Sequence, residues 1–241
     1  MAKTRIDGKQ DVWIAADYHM SSNYSCRMVM SSLSSTLALP ASGPATIRLG
    51  AIRSSIERFG YQTTRDVLFS IICSVEICIK PPSRIGISTQ KLKAYKIGSR
   101  NSVVQSIVYR EFAQCEGYIT IYMKVPVLYK SAISSILKGI SYWGQANSFT
   151  SCMNISEMEP TIGECAIALE KIQAPYPLQG LFSCFLTEFA NKEIEWESIM
   201  PNLNSGNTTF LKTVLFLWPL TIKQHGTSKV LQRHSLEIDN K

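Results

Sequence analysis

The chain has 241 residues, 45% of them hydrophobic, with 25 Lys/Arg against 18 Asp/Glu and a formal net charge of +7. This suffices for one large core or two small ones. Its longest apolar run, residues 214–220, falls far short of the roughly 20 residues a membrane helix needs. No apolar h-region follows Lys3, Arg5 and Lys9, so a cytoplasmic protein without a membrane partner is expected.

Residues 12–20 read as a first strand, and a polar stretch then leads to Leu39-Pro40-Ala41-Ser42-Gly43-Pro44. Pro44 suits the first position of a helix, with Ser42 or Gly43 near its cap. Ala45, Leu49, Ile52, Ile56 and Phe59 recur at helical spacing, and Gly60 supplies a stop. Arg48 and Arg53 flank that stripe, and Arg58 lies further round. The alternation of Val67, Phe69, Ile71, Cys73, Val75, Ile77 and Ile79 predicts one long half-buried strand, ended by Pro81-Pro82.

Residues 83–112 are rich in cations and poor in apolar residues, which predicts a projecting loop or short hairpin. A further strand is expected over 118–125. Its Ile119, Ile121, Met123 and Val125 face inward, opposite an aromatic and basic set of Tyr118, Thr120, Tyr122 and Lys124. A helix over 131–142, closed by Gly144, and a strand over 149–156 complete the order strand, helix, strand, loop, strand, helix, strand. That is the ferredoxin-like βαββαβ arrangement, an α+β fold whose open sheet face hosts RNA in RRM-type domains. Pro175-Tyr176-Pro177 divides a domain over 1–175 from a smaller, mostly β portion over 176–241. Apolar runs at 181–189 and 210–222 look strand-forming there, although Pro219 argues against a central strand.

No G-x-S-x-G elbow, P-loop or G-x-G-x-x-G is present. The seven cysteines include no C-x-x-C pair, and His19, His225 and His234 lie far apart in the sequence. The expectation is buried reduced thiols, with no metal and no cofactor. Charge is the stronger signal. Residues 1–110 hold 15 Lys/Arg and 6 Asp/Glu, whereas residues 111–241 hold 10 and 12. A basic first half of this kind suits a polyanion.

Within the insertion, Arg84 is followed by Lys91, Lys93, Tyr95, Lys96 and Arg100. These provide cations for phosphates and a ring for an unstacked base, although a solvated loop shows the same run. Arg48, in the first helical turn beside free N–H groups and the positive dipole end, is a phosphate candidate, and Arg53 is a second. Arginines at such positions also shield a core stripe by snorkelling. Tyr142-Trp143-Gly144-Gln145 reads as a core plug with a C-cap or as a stacking platform with Gln145 on a base edge. Tyr122 and Lys124 complete the candidate RNA-binding set. The alternative is a metal-independent endoribonuclease with His19 as general base and Lys93 or Arg48 on the scissile phosphate.

The run Leu39-Pro40-Ala41-Ser42-Gly43-Pro44-Ala45-Thr46-Ile47-Arg48, after a strand and opening a helix, resembles the CRISPR-associated RAMP superfamily. Within it the run is similar to the fifth Cas group, the Cascade subunit that caps the 5′ handle of the guide RNA. Those proteins carry a similar Pro-rich turn and a basic thumb-like insertion in a ferredoxin-like domain, which residues 83–112 look like. The chain departs from the pattern at Gly43 and Ala45, where Pro or Ser is common. It also lacks the terminal Gly-rich loop of the repeat-cleaving relatives. The resemblance implies a non-catalytic subunit of a crRNA-guided surveillance complex that contacts a backbone RAMP subunit and a large subunit. Target DNA would be met through the complex, and transposition proteins would be partners where the system is transposon-associated. By the same resemblance Arg48, Arg53 and the insertion would hold phosphates, and Tyr95 would stack or wedge against a base.

Overall fold

The computed structural model describes residues 10–21, 23–24, 35–36, 42–95, 104–143, 148–172, 181–191, 193–199, 209–225 and 228–234. For residues 35–36, 90–95, 104–110 and 224–225 the description is of backbone alone. In chain order the elements begin with β1 (Asp11–Met20), β2 (Ser35–Thr36), α1 (Pro44–Phe59), α2 (Tyr61–Thr63), a π turn (Thr64–Leu68) and α3 (Phe69–Ser74). Then come β3 (Glu76–Lys80), β4 (Arg84–Tyr95), β5 (Val104–Glu116), β6 (Ile119–Pro126), α4 (Lys130–Lys138) and β7 (Thr150–Glu157). The last five are β8 (Ile167–Ala168), β9 (Phe182–Phe189), β10 (Leu211–Trp218), β11 (Leu220–His225) and β12 (Ser228–Arg233).

Four strands form an antiparallel sheet in the order β3-β6-β1-β7. With α1 after β1 and α4 after β6, this is the ferredoxin-like split βαβ core, within an α+β molecule. One helix face is tied to the sheet by Tyr18, whose hydroxyl donates to Leu137 O at 2.7 Å. The helices are tied to each other by Ser54 Oγ donating to Ile136 O at 2.7 Å. Ile14, Ala16, Ile119, Ile121, Met123 and Val125 fill the space beneath α1 and α4. Among the described residues no helix is long and apolar enough to cross a membrane.

Two further sheets flank this core. β8-β10-β9 is a three-stranded sheet, and β11-β12-β4-β5-β2 is a five-stranded one. The run over 210–222 feeds both. It breaks at Pro219, so β10 lies in the first sheet and β11 in the second. The C-terminal strands pack into the same continuous core as β1 and α1.

The chain departs from the sequence expectation in four places. Residues 67–74 are helical, not the first half of a long strand, and only Glu76–Lys80 is extended. Leu68, Phe69, Ile72 and Cys73 supply a helical stripe that the two-residue alternation masks, and all four are buried. Residues 83–112 are neither a loop nor a short hairpin, because Arg84 to Tyr95 pairs antiparallel with Val104 to Glu116 along its length. The second helix ends at Lys138 with Gly139 as cap, so Tyr142 and Trp143 lie beyond it. In α1 the buried side includes Ile47, Arg48, Ala51, Ser54 and Ser55, whereas Phe59 is 36% exposed. That helix is covered by β9 as well as by the sheet and α4, which turns its inward face away from the apolar stripe.

Arg48 explains why α3 is a helix. The last carbonyls of a helix lack partners within it. Here Arg48 Nη1 donates to Ile72 O at 2.6 Å and Nη2 to Val75 O at 2.9 Å. Arg48 Nε donates to Glu188 Oε1 on β9 at 3.2 Å, and the same carboxylate oxygen accepts from Phe189 N. β9 comes close enough that a Cβ at Gly43 would stand 2.8 Å from Thr187 O. The space over the helix start therefore admits glycine alone, which accounts for Gly43 where the Pro-rich pattern has a larger residue.

The core also holds thiols. Among the described residues six cysteines are free, with Cys73, Cys165 and Cys184 buried; Cys26 lies outside the described residues. Burial is the largest cause pushing each of these three up to about 12. Opposing it, the Arg48 charge draws Cys73 down, and the Trp218 Nε1 hydrogen bond to Sγ draws Cys184 down.

Arg48→Met should lower unfolding stability by about 3–5 kcal/mol in urea, because the Glu188 carboxylate and two carbonyls lose their donors together. Arg48→Lys should recover little of it, since an ammonium does not reproduce the guanidinium fork. The thiols set a pH dependence. Unfolded thiols ionise near 9 and the folded ones near 12, so their stabilising contribution is complete below pH 9 and lost as pH rises toward 12. The urea midpoint should fall over that window, and less steeply in Cys184→Ala.

Candidate nucleic-acid interface

The sheet face opposite the helices is the natural place to look for RNA contacts in a ferredoxin-like domain. Cross-strand partners place Trp13, Lys124 and Glu76 in one row on it, Ala15, Tyr122 and Cys78 in the next, and Asp17, Thr120 and Lys80 in a third. The chain covers the middle of this face itself. After β7, residues 158–166 cross it as a strap. Met158 N donates to Trp13 O at 3.3 Å at one end, and Ala166 N donates to Ile79 O at 2.8 Å at the other. Lys80 Nζ meets Glu164 Oε2 at 2.6 Å, and Cys165 packs on Ala15 and Tyr122.

Tyr122 is therefore only 2% exposed and cannot present its ring to a base. Burial foremost, helped by the neighbouring Cys165, Glu164 and Asp17, pushes its hydroxyl up to about 12. Lys124 stays exposed, with Nζ 6.0 Å from the Trp13 ring centre. His19, the alternative general base, is exposed near the end of β1, and its carbonyl accepts a bond from Thr150 Oγ1. Among the described residues no group of three or more His, Cys, Asp or Glu is placed to hold a metal ion.

The helix arginines separate into different roles. Arg48, expected beside free N–H groups, is 4% exposed with its guanidinium committed to Ile72, Val75 and Glu188. Ser42, Gly43, Pro44 and Ala45 are buried with it, so the start of α1 offers no open phosphate seat. This corrects the phosphate assignment and removes Arg48 from the endoribonuclease set. Arg53 is exposed, paired with Glu57 at 2.8 Å and 4.5 Å from the Tyr142 ring centre. Arg58 donates to Ser135 Oγ. Trp143 is 2% exposed against Tyr18, with ring centres 4.6 Å apart, so it is a core plug and not a platform. Gly144 and Gln145 lie outside the described residues.

The basic insertion is differently placed. Arg84 opens β4 and is exposed, 3.7 Å from Glu116. Lys91, Lys93 and Tyr95 follow on the same strand, opposite Tyr109, Ile107 and Val104 of β5. Lys96 and Arg100, like the Leu39-Pro40-Ala41 turn, lie outside the described residues. Among the described residues β12 pairs with β4 over Arg84–Ile87, and from Ser88 to Tyr95 β4 is paired with β5 alone. Those eight residues extend roughly 25 Å at about 3.3 Å each.

Sequence reasoning missed the contribution of the C-terminal hairpin. β11 and β12 bring Lys223, Lys229 and Arg233 onto the sheet that carries the insertion. Lys229 pairs with Glu111 at 3.5 Å, Lys223 donates to Gln232 Oε1 at 2.9 Å, and Arg233 donates to Pro81 O at 2.8 Å. The signal was Gly226 between two runs that alternate cations with Ile222, Val230 and Leu231.

No family model matches the chain. No curated protein matches it either. Among solved structures it is similar to a CRISPR protein from Archaeoglobus fulgidus, at 14% identity over 93% of this chain and 92% of that one, with a TM-score of 0.48.

Proposed function

We propose that this chain is a non-catalytic RNA-binding subunit of a CRISPR RNA-guided surveillance complex, which holds the 5′ handle of the crRNA on the β4–β5 hairpin. The observation that carries this reading is the form of the basic insertion. Six Lys/Arg and one acidic residue fall within 83–112 in the sequence, and its described residues form the long antiparallel pair β4 and β5, which lies in the chain between β3 and β6 of the ferredoxin-like core. A cationic arm of this length tracks a phosphate backbone, and Tyr95 near its tip provides a stacking surface. The resemblance of residues 39–48 to the capping group narrows the RNA to a guide. The strap over the sheet face supports placing the contacts on the arm, because the usual RRM platform is filled by the chain itself. A backbone subunit and a large subunit are the protein partners this reading implies.

Lys91→Glu/Lys93→Glu should weaken guide-RNA binding by more than tenfold in filter binding at physiological salt. The slope of log affinity against log salt should become shallower by about 0.7 for each phosphate that the variant no longer neutralises on a single strand. Unchanged affinity and slope would refute the arm as the binding element. Incubation with labelled repeat RNA in chelator should give no cleavage; site-specific cutting that vanishes in His19→Ala would establish the nuclease instead.

A further inference from the structure

The outer face of the five-stranded sheet carries a hollow at the base of the arm. Residues opposite one another in neighbouring strands share a face. Arg84, Gly86, Gln114, Glu116, Val230 and Gln232 thus lie on one side, while Ile85, Ile87, Ala113 and Leu231 fill the buried other side. At Gly86 the outer face has no side chain, and a Cβ built there meets nothing within 4 Å. Among the described residues Arg84, Gly86, Gln114, Cys115 and Glu116 line the resulting space of about 420 Å³. Small-ligand sites run from about 300 to 1,000 Å³. A glycine within a strand weakens it and marks a place where another group approaches the backbone closely.

The rim is chemically mixed in a way that suits a planar polar ligand. Arg84 only donates, Glu116 as a carboxylate only accepts, and Gln114 does both. Arg84 and Glu116 stand 3.7 Å apart with side chains 57% and 70% exposed, so their pairing is loose and yields readily to a ligand. Among the described residues that line it there is no aliphatic or aromatic anchor of the kind a protein partner's pocket is built around, and Val230, opposite Gly86, lies outside that lining. Arginine and glutamine donate to ring acceptors of bases, and a carboxylate accepts from an exocyclic amino group.

We propose that the hollow over Gly86 seats one unstacked nucleotide of single-stranded RNA, its base presenting an exocyclic amino group to Glu116 and ring acceptors to Arg84 and Gln114. The inference rests on the RNA-binding reading above. It adds base preference to a surface that otherwise holds phosphates, and it places the nucleotide at the base of the arm. Uracil has a carbonyl where cytosine has its amino group, so it is rejected.

The test uses the full chain with fluorescein-labelled oligo-C and oligo-U of about ten nucleotides, read by anisotropy at physiological salt. Wild type should bind oligo-C about tenfold more tightly than oligo-U, the discrimination of one good paired contact. Gly86→Val puts a β-favouring side chain into open space, so its urea midpoint should be unchanged or higher while the margin disappears. Glu116→Gln should also lose the margin, although removing a negative charge strengthens binding to a merely electrostatic surface. Equal binding of the two oligonucleotides by wild type, or a margin kept by both variants, overturns the proposal. If wild type binds neither oligonucleotide, the RNA-binding reading falls with it. Binding abolished by Lys91→Glu/Lys93→Glu but untouched by Gly86→Val sinks the hollow alone. If Gly86→Val leaves RNA binding intact and prevents assembly with a protein subunit, the hollow is a protein contact and the proposal is wrong.

Discussion

The Arg48 guanidinium organises more of this molecule than any other polar group described. It rises from α1, closes the carbonyl end of α3 and reaches Glu188 on β9, so one side chain links three elements distant in sequence. A buried cation is costly unless its donors are satisfied. Here each of its three donor nitrogens has an acceptor, and the counter-charge comes from the acidic second half of the chain. The arrangement constrains the neighbours in turn: α3 ends where its carbonyls meet Arg48, and β9 passes close over Gly43.

The ferredoxin-like order was legible because β1, β6, α4 and β7 each carry a periodicity that their environment respects, and because Pro44 and Gly60 mark the ends of α1 even though its inward face turns away from its apolar stripe. The misreadings share one cause, which is a tertiary partner invisible to local pattern. The alternation across 67–79 fits a strand, and the helical stripe of Leu68, Phe69, Ile72 and Cys73 prevails only because Arg48 waits at its end. Arg48 itself looked exposed because β9, some 140 residues away, covers it. Tyr122 looked like a binding ring because the strap is polar and irregular, with nothing periodic to announce that it would fold back. In the insertion the cations were legible and the hairpin was not, since the polar run Ser88-Thr89-Gln90-Lys91 interrupts the alternation that Ile85 and Ile87 begin.

Cations are thus divided between architecture and surface. Arg48 and Arg233 donate to backbone carbonyls, and Lys80, Lys130, Lys171 and Lys212 are matched to Glu164, Glu157, Glu76 and Glu170. Much of the formal positive charge outside the arm is therefore locally balanced. In the sequence, residues 83–112 hold six cations and one acid.

Pro219 has a mechanical consequence. Trp218 and Leu220, on either side of it, are both fully buried, and the proline carbonyl accepts a bond from His234 N. The three-stranded and five-stranded sheets are therefore joined by a single residue with no slack. Tension applied to the arm passes from β4 through β12 and β11 into this joint, and from there into β10 and β9, where Glu188 grips Arg48. A load on the arm would therefore reach the folded body directly and would not be absorbed by a linker.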